Sequence, residues 1–99
     1  MTKWLATYLA PKIRVNAISP GGIKKKQSKI FIKNYENKTP LKRMCKVEDI
    51  IFAARFLCDE RSNYINGHNL IVDGGYSLTW WKKKSKLALL YKEKCILNF

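Results

Sequence analysis

"RVNAISPGGI", residues 14–23, is the stretch that decides the fold. Residues 13–18 are mostly apolar, as in a strand that is buried on both faces of a parallel sheet. This pattern stops abruptly at Ser-Pro-Gly-Gly, where two successive residues carry no side chain. Such a turn indicates a sharp change of chain direction, a close approach of another group to the backbone, or both.

The flanking segments have the patterns of two helices and a second strand. Residues 2–10 carry an apolar stripe at helical spacing, and Pro11 ends it. Residues 47–58 have the clearest helical pattern, with acidic side chains in the first turn. Residues 69–72 ("NLIV") predict a short strand. Because a long, partly helical connection joins the two strands, we expect them to be parallel neighbours in an α/β fold.

The net charge of +13 is concentrated in two segments. Residues 24–46 carry nine Lys or Arg and one acidic residue, and residues 82–99 carry six Lys and one Glu. A strong positive potential favours nucleic acid, acidic membranes or phosphorylated ligands without specifying one of them. We favour a solvated basic surface over a dedicated nucleic-acid site, and we expect no specific nucleic-acid partner.

The first basic segment also contains a weak helical stripe. Ile30, Phe31 and Tyr35 lie at helical spacing, and Ser28 precedes them as a candidate N-cap. Pro40 then indicates a turn and a connection to the next helix. The segment therefore predicts a short, mostly polar helix between the glycine-rich turn and the clear helix.

The cysteines and the apolar runs indicate in which cellular compartment we expect the chain. Cys45, Cys58 and Cys95 are odd in number and far apart, so neither a disulfide framework nor a zinc site is indicated. Reduced thiols suit a cytoplasmic protein. The first ten residues have no secretory pattern, and the longest apolar run, residues 50–58, contains Arg55 and is too short to span a bilayer. We expect a cytoplasmic protein with no membrane partner.

The chain resembles the C-terminal part of a short-chain dehydrogenase/reductase. Three stretches carry the resemblance in the family's order: "LAPKIRVNAISPGGI", "TPLKRM" and "EDIIFAARFLCDERSNYINGHNLIVDGG". Over residues 1–80 it implies part of a doubly wound Rossmann-type α/β fold, ordered helix–strand–helix–helix–strand with two parallel strands. Residues 81–99 form a basic tail that has a helical pattern and no counterpart in the family. Within the family, the sequence is similar to bacterial surface-sugar or flagellin-sugar members and to 3-oxoacyl-carrier-protein reductases.

The resemblance implies NAD or NADP as cofactor. In the family, the Pro-Gly turn lies at the carboxyl end of the sixth strand, beside the nicotinamide. We therefore assign Pro20, Gly21, Gly22 and Ile23 as cofactor-binding residues, with the Ile23 backbone reaching the carboxamide. From the residues alone, a tight turn with no ligand is the alternative.

Other parts of the family's machinery are absent from these 99 residues. No Gly-x-x-x-Gly-x-Gly phosphate loop is present, and no catalytic Ser or Tyr-x-x-x-Lys pair is assigned. Tyr8 and Lys12 have the required spacing, but Pro11 interrupts the helix that must align them. We therefore assign no catalytic residue.

Several further polar residues receive structural interpretations. We expect Asn16 to make a structural hydrogen bond, Asp73 to bond turn amides, and His68 to be structural. Residues 24–33 occupy the family's substrate-binding loop. An anionic substrate, such as a nucleotide sugar or a carrier-bound acyl group, could meet this loop, although we favour a solvated variable loop.

These observations predict a fragment of an NAD(P)-dependent oxidoreductase that is inactive alone. In the intact family, a hydride passes between the nicotinamide and a hydroxyl or carbonyl carbon. One alternative is an interaction or complementing subunit that joins the N-terminal half of the family domain or another copy of itself. The other is non-specific binding of anions or nucleic acid through the basic segments.

Overall fold

A computed structural model describes residues 1–79, which form three helices and a two-stranded sheet. Short 3-10 turns at Glu60–Ser62 and Tyr76–Leu78 flank the second strand. The predicted tail, residues 81–99, lies outside the described residues. In chain order the elements are α1 (Thr2–Tyr8), β1 (Ala17–Pro20), α2 (Lys29–Lys38), α3 (Val47–Cys58) and β2 (Asn69–Val72).

The two strands are parallel neighbours, as the sequence predicts. Ala17 lies opposite Asn69, and the register runs in step to Pro20 opposite Val72. The chain passes from β1 to β2 through α2 and α3, and α3 packs against both strands. This arrangement confirms an α/β fold with parallel pairing.

The first strand lies later in the chain than predicted. The apolar pattern places it at residues 13–18, whereas β1 begins at Ala17. The preceding residues bond to a loop instead: Val15 donates its N–H to Asn66 Oδ1 at 3.0 Å and accepts from Gly67 N at 2.8 Å. The loop provides the hydrogen bonds that a neighbouring strand would otherwise provide. The apolar pattern of the sequence therefore does not show at which residue the pairing of the two strands begins.

The helix α3 covers the predicted residues 47–58. Its N-terminus is stabilised by Asp49, whose carboxylate accepts a hydrogen bond from Lys46 N at 2.8 Å. This bond satisfies a backbone N–H group that has no partner within the helix. Leu57 is buried on the inner side, while Phe52 and Phe56 are exposed on the helix surface.

The first helix ends at Tyr8, two residues earlier than predicted. Trp4 and Tyr8 stack on each other with ring centroids 5.0 Å apart, and both rings are exposed. Ala6 is the buried residue of this helix, and its carbonyl accepts a hydrogen bond from Asn66 Nδ2 at 3.0 Å. The aromatic face of α1 is thus open in the described part of the chain.

The core is small for a chain of this length. Among the described residues, the buried apolar side chains are Ala6, Met44, Cys45 and Leu57. On β2, Ile71 remains more than half exposed. A core of this size contributes little of the apolar burial on which a stable domain depends.

Candidate functional site

The glycine-rich turn follows β1 directly and is anchored on two sides. Gly21 donates its N–H to Val72 O on the neighbouring strand at 2.9 Å. One residue further on, Gly22 O accepts from Cys45 N at 3.0 Å, and Cys45 O accepts from Lys24 N at 2.9 Å. Ile23 therefore forms a parallel bridge with Cys45. The turn is held at the carboxyl end of the sheet, where parallel α/β folds bind ligands.

The space around both glycines leaves little room for a side chain. A Cβ on Gly21 would lie 3.0 Å from Asp73 Cα, and a Cβ on Gly22 would lie 2.8 Å from Tyr35 Cζ. The sequence predicts a close approach to this backbone, and these two residues supply one. The assignment of Pro20, Gly21, Gly22 and Ile23 to a cofactor stays a prediction.

The backbone N–H of Ile23 has no acceptor among residues 1–79. Its carbonyl accepts a hydrogen bond from Gln27 Nε2 at 2.9 Å, and the residue is half-buried. A backbone amide that has no bond to the protein is free to donate to water or to a ligand. This N–H is suited to an external acceptor such as a carboxamide oxygen, which fits the nicotinamide end of NAD or NADP.

Tyr35 is a part of the site that sequence reasoning missed. Its phenol oxygen accepts a hydrogen bond from Gly22 N at 2.6 Å. Its ring stacks on Tyr76, with centroids 4.4 Å apart and planes 4° from parallel. In the predicted stripe, Ile30 and Phe31 are exposed, and only Tyr35 packs inward. The sequence signal for this contact is the pair of glycines, because two residues without side chains leave room for an aromatic ring to approach the backbone.

Asp73 organises the end of β2. Its carboxylate accepts from Gly75 N at 2.9 Å and from Ser77 N at 3.0 Å, which confirms the predicted bonding to turn amides. The Ser77 side chain, followed by the backbone amides of Ser77 and Gly75, lowers the pKa of Asp73. The same turn carries Tyr76, whose ring stacks on Tyr35. By holding this turn, Asp73 helps to position the stacked pair.

Asn16 has the structural role that the sequence predicts. Its Oδ1 accepts from His68 N at 2.9 Å, and its Nδ2 donates to Ile65 O at 3.0 Å. These bonds tie the start of β1 to the loop before β2. His68 is exposed, and its carbonyl accepts from Ala17 N at 2.8 Å. Asn16 thus aligns the two strands through its side chain, and His68 does so through its backbone groups.

The rejected pair, Tyr8 and Lys12, lies at the end of α1. Tyr8 is the last residue of the helix and is exposed, and Lys12 lies beyond it. A Tyr-x-x-x-Lys pair needs a continuous helical turn to bring both side chains to one face. The structure does not provide that turn.

The lysines of residues 24–33 lie exposed on the surface. Within residues 1–79 the ion pairs are Arg43 with Asp49 and Arg61 with Asp59, so no lysine of this loop is paired there. Gln27 holds the loop by donating to Ile23 O and accepting from Lys25 N at 2.6 Å. The loop therefore presents unneutralised positive charge next to the glycine-rich turn.

A groove of about 690 Å³ lies against α3 and β2, and its walls include Cys45, Val72 and Asp73, which contact the glycine-rich turn. Its apolar walls include Phe52, Ile71 and Leu78. None of the four predicted cofactor residues lines it. We attribute it to the uncovered faces of α3 and β2 rather than to the chemistry of the turn.

Two other kinds of site were sought in residues 1–79. No three His, Cys, Asp or Glu side chains of this part come together in a way that could hold a metal ion. None of its helices has the length and apolar character needed to cross a membrane.

Taken together, the parallel sheet and the anchored turn at its carboxyl end define a segment of a Rossmann-like α/β fold. A family model described as enoyl-(acyl carrier protein) reductase matches residues 1–77. The chain belongs to the short-chain dehydrogenase/reductase family. This membership confirms the resemblance noted from the sequence.

Similar proteins include one human and two bacterial members. The chain is 42% identical to human mitochondrial dehydrogenase/reductase SDR family member 2 over 78% of its length, and 38% identical to the post-translational flagellin modification protein A of Campylobacter coli over 76%. It is 52% identical to a short-chain dehydrogenase of Leptospira borgpetersenii solved with bound NAD+, with a TM-score of 0.73 over 77% of the chain. In each case the match spans 30% of the relative.

Proposed function

We propose that residues 1–79 form the nicotinamide end of an NAD(P)-dependent oxidoreductase. The observation that carries this proposal is the Ile23 N–H, which has no acceptor within residues 1–79 and is held on the glycine-rich turn at the carboxyl end of β1. The Leptospira borgpetersenii structure, which has a bound NAD+, supports the choice of ligand. The reaction class is hydride transfer between a nicotinamide and a hydroxyl or carbonyl carbon.

The residues of this chain would bind and orient the cofactor. Pro20 restricts the backbone as the chain leaves β1, and Gly21 brings the turn against Asp73. The Ile23 N–H would donate to the carboxamide oxygen and so set the orientation of the nicotinamide ring. When bound, the cofactor supplies the hydride donor or acceptor.

The chain does not supply the acid–base chemistry on this proposal. Its 99 residues contain no phosphate loop of the family's type, and Tyr8 and Lys12 do not form the catalytic pair. Hydride transfer to a carbonyl needs a proton donor, so we expect no turnover by these residues alone. Because the chain spans 30% of its relatives, the missing functions correspond to the part that it does not match.

We propose the remaining part of a short-chain dehydrogenase/reductase domain as the partner of this segment. Phe52, Phe56 and Ile71 are exposed on the elements that a complete domain would cover. Free thiols at Cys45 and Cys58 suit the reducing cytoplasm, which we propose as the location. Association with a second copy is the other outcome that the test below separates.

The test uses the 99-residue chain with and without a complementing half. The half is the N-terminal part of the Leptospira borgpetersenii relative, produced separately and ending where the match begins. NADH binding is followed by the transfer of saturation from protein to ligand in NMR. We expect binding by the mixture, no ketone-dependent NADH oxidation by the chain alone, and loss of binding in Ile23→Pro, which lacks the N–H. Oxidation by the chain alone, or equal binding by Ile23→Pro, would contradict the proposal.

The exposed lysines support a second candidate, non-specific binding of anions or nucleic acid. Lys24, Lys25 and Lys26 follow the turn without ion-pair partners in the described residues. Filter binding of a random oligonucleotide at two salt concentrations tests this candidate. A weak affinity that falls steeply with salt supports it, and no binding at the lower salt concentration excludes it.

A further inference from the structure

Tyr35 connects α2 to the glycine-rich turn. It lies 13 residues after Gly22, in the second turn of α2, and is half-buried. Neither Ile30 nor Phe31 shares its inward position, because both are exposed. The helix therefore meets the turn through this one aromatic side chain of the stripe.

Three contacts fix the position of this ring. The Gly22 N–H donates to the phenol oxygen at 2.6 Å. The ring of Tyr76 stacks on it, with a centroid separation of 4.4 Å. At Gly22 itself, any Cβ would come within 2.8 Å of Tyr35 Cζ. The position of the Tyr35 ring is thus specified by a hydrogen bond, by ring stacking, and by a glycine that has no room for a side chain.

The same contacts orient the Ile23 N–H. The carbonyl of Gly22 accepts from Cys45 N at 3.0 Å. In a trans peptide the C=O and the following N–H point in opposite directions, so Cys45 directs the Ile23 N–H away from itself. Tyr35 holds the preceding N–H, on the other side of Gly22. The peptide that carries the Ile23 N–H, which has no acceptor in the described part of the chain, is therefore restrained at both of its neighbouring groups.

We propose that Tyr35 is a positioning residue that locks α2 onto the glycine-rich turn and fixes the direction of the Ile23 N–H. Its effect on cofactor binding rests on the function proposed above, whereas the lock itself does not. Tyr35 accepts a hydrogen bond from the turn and touches no reacting atom in this account. The lock links the placement of α2 to the glycine-rich turn.

The test removes the phenol oxygen and keeps the ring. Tyr35→Phe is compared with Tyr64→Phe, which removes a hydroxyl from a residue that is 99% exposed. Amide hydrogen exchange of the 99-residue chain is measured by NMR. We expect the Gly22 amide to exchange about fivefold faster in Tyr35→Phe, as for the loss of one ordinary hydrogen bond. The amides of Gly21 and Cys45, which bond to Val72 O and Gly22 O, should not change.

Three results would overturn the proposal. They are unchanged exchange at Gly22, equal effects of Tyr35→Phe and Tyr64→Phe, and a uniform acceleration of all three amides, which would make Tyr35 a contributor to global stability only. Should Tyr35→Phe fail to fold, Gly22→Ala in the otherwise unchanged chain reports on the same contact. The proposal then requires loss of the Tyr35–Tyr76 stacking signal in near-ultraviolet circular dichroism, and retention of that signal overturns it.

NADH binding separates this inference from the proposed function. In the mixture with the complementing half, we expect Tyr35→Phe to weaken NADH affinity about fivefold, with Tyr64→Phe unchanged. If Gly22 exchange responds but no variant, including the unmodified chain, binds NADH, the lock stands and the proposed function fails. If NADH binds and Gly22 exchange does not respond, the function stands and the lock fails.

Discussion

The guanidinium of Arg43 donates two hydrogen bonds to the carboxylate of Asp49, at 2.7 and 3.1 Å. Arg43 belongs to the connection that passes beside the glycine-rich turn, and Asp49 lies in the first turn of α3. The pair therefore joins the start of α3 to the segment that carries Cys45, the bridge partner of Ile23. Paired donors of this kind give both geometry and charge complementarity.

This pair predicts an acid-dependent loss of stability. The hydrogen bonds from Arg43 and then from Lys46 lower the pKa of Asp49 to about 2. A carboxylate with a depressed folded-state pKa stabilises the protein above its unfolded pKa of about 3.9, and the contribution is lost as the pH falls toward 2. We expect the melting temperature to fall between about pH 4 and pH 2, and Asp49→Asn to reduce this fall.

The control for this measurement is Glu48→Gln, which removes an exposed carboxylate from the same helical turn. The remaining fall in Asp49→Asn comes from Asp59 and Asp73, whose pKa values are also lowered, by Arg61 and by Ser77 respectively. An identical pH profile for Asp49→Asn and Glu48→Gln would show that the ion pair has no part in acid stability.

Gly22→Ala should destabilise the chain by about 1–3 kcal/mol, because overpacking forces a shift of neighbouring atoms. The added Cβ would lie 2.8 Å from the Tyr35 ring. A double-mutant cycle with Tyr35→Ala isolates the clash, since the truncated side chain leaves room for the methyl group. Urea unfolding should show that Gly22→Ala costs less in the Tyr35→Ala background. If Gly22→Ala lowers the free energy of unfolding equally in both backgrounds, the contact with Tyr35 is not the reason that this position needs glycine.

Asn16→Ala should cost about 1–3 kcal/mol, because it leaves His68 N without its hydrogen bond and removes one of the two bonds that Ile65 O accepts, the other coming from Arg14. The matched control is Asn34→Ala, at an exposed position of α2. Urea unfolding of both variants measures the difference. If the two variants unfold at the same midpoint, the bonds of Asn16 do not contribute to the pairing of the strands.

The two described cysteines should differ in reactivity. Burial raises the pKa of the Cys45 thiol, whereas Cys58 is exposed. Alkylation requires the thiolate, so iodoacetamide near pH 8 should modify Cys58 well before Cys45. Peptide mass spectrometry follows each site separately. Faster labelling of Cys45 in Gly22→Ala than in the unmodified chain would show that the turn protects it, and equal labelling of Cys45 and Cys58 in the unmodified chain would contradict the prediction.

The residues differ in how far their positions could be predicted from sequence. The bounds of α3 and β2 follow from local pattern, since each carries its apolar period and its boundary signals within its own residues. The start of β1 does not, because Val15 bonds to a loop 51 residues away that imitates a strand. Tyr35 could be placed on a helix but not on Gly22, since its contacts depend on how α2 packs in three dimensions.

The exposed aromatic residues of α3 should drive association of the isolated chain. Phe52 is 67% exposed, Phe56 is 53% exposed, and Ile71 extends the apolar surface onto β2. Contiguous apolar surfaces of this kind favour association. We expect the 99-residue chain to sediment as oligomers, and Phe52→Ser with Phe56→Ser to shift it toward monomer without lowering its melting temperature. Leu57→Ser, at a buried position, should instead cost about 2–5 kcal/mol of stability. If the complementing half binds the unmodified chain and dissolves its oligomers, the surface belongs to the domain interior; if the oligomers persist beside the bound half, the surface is an interface between copies. A monomeric unmodified chain would contradict the role given to this surface.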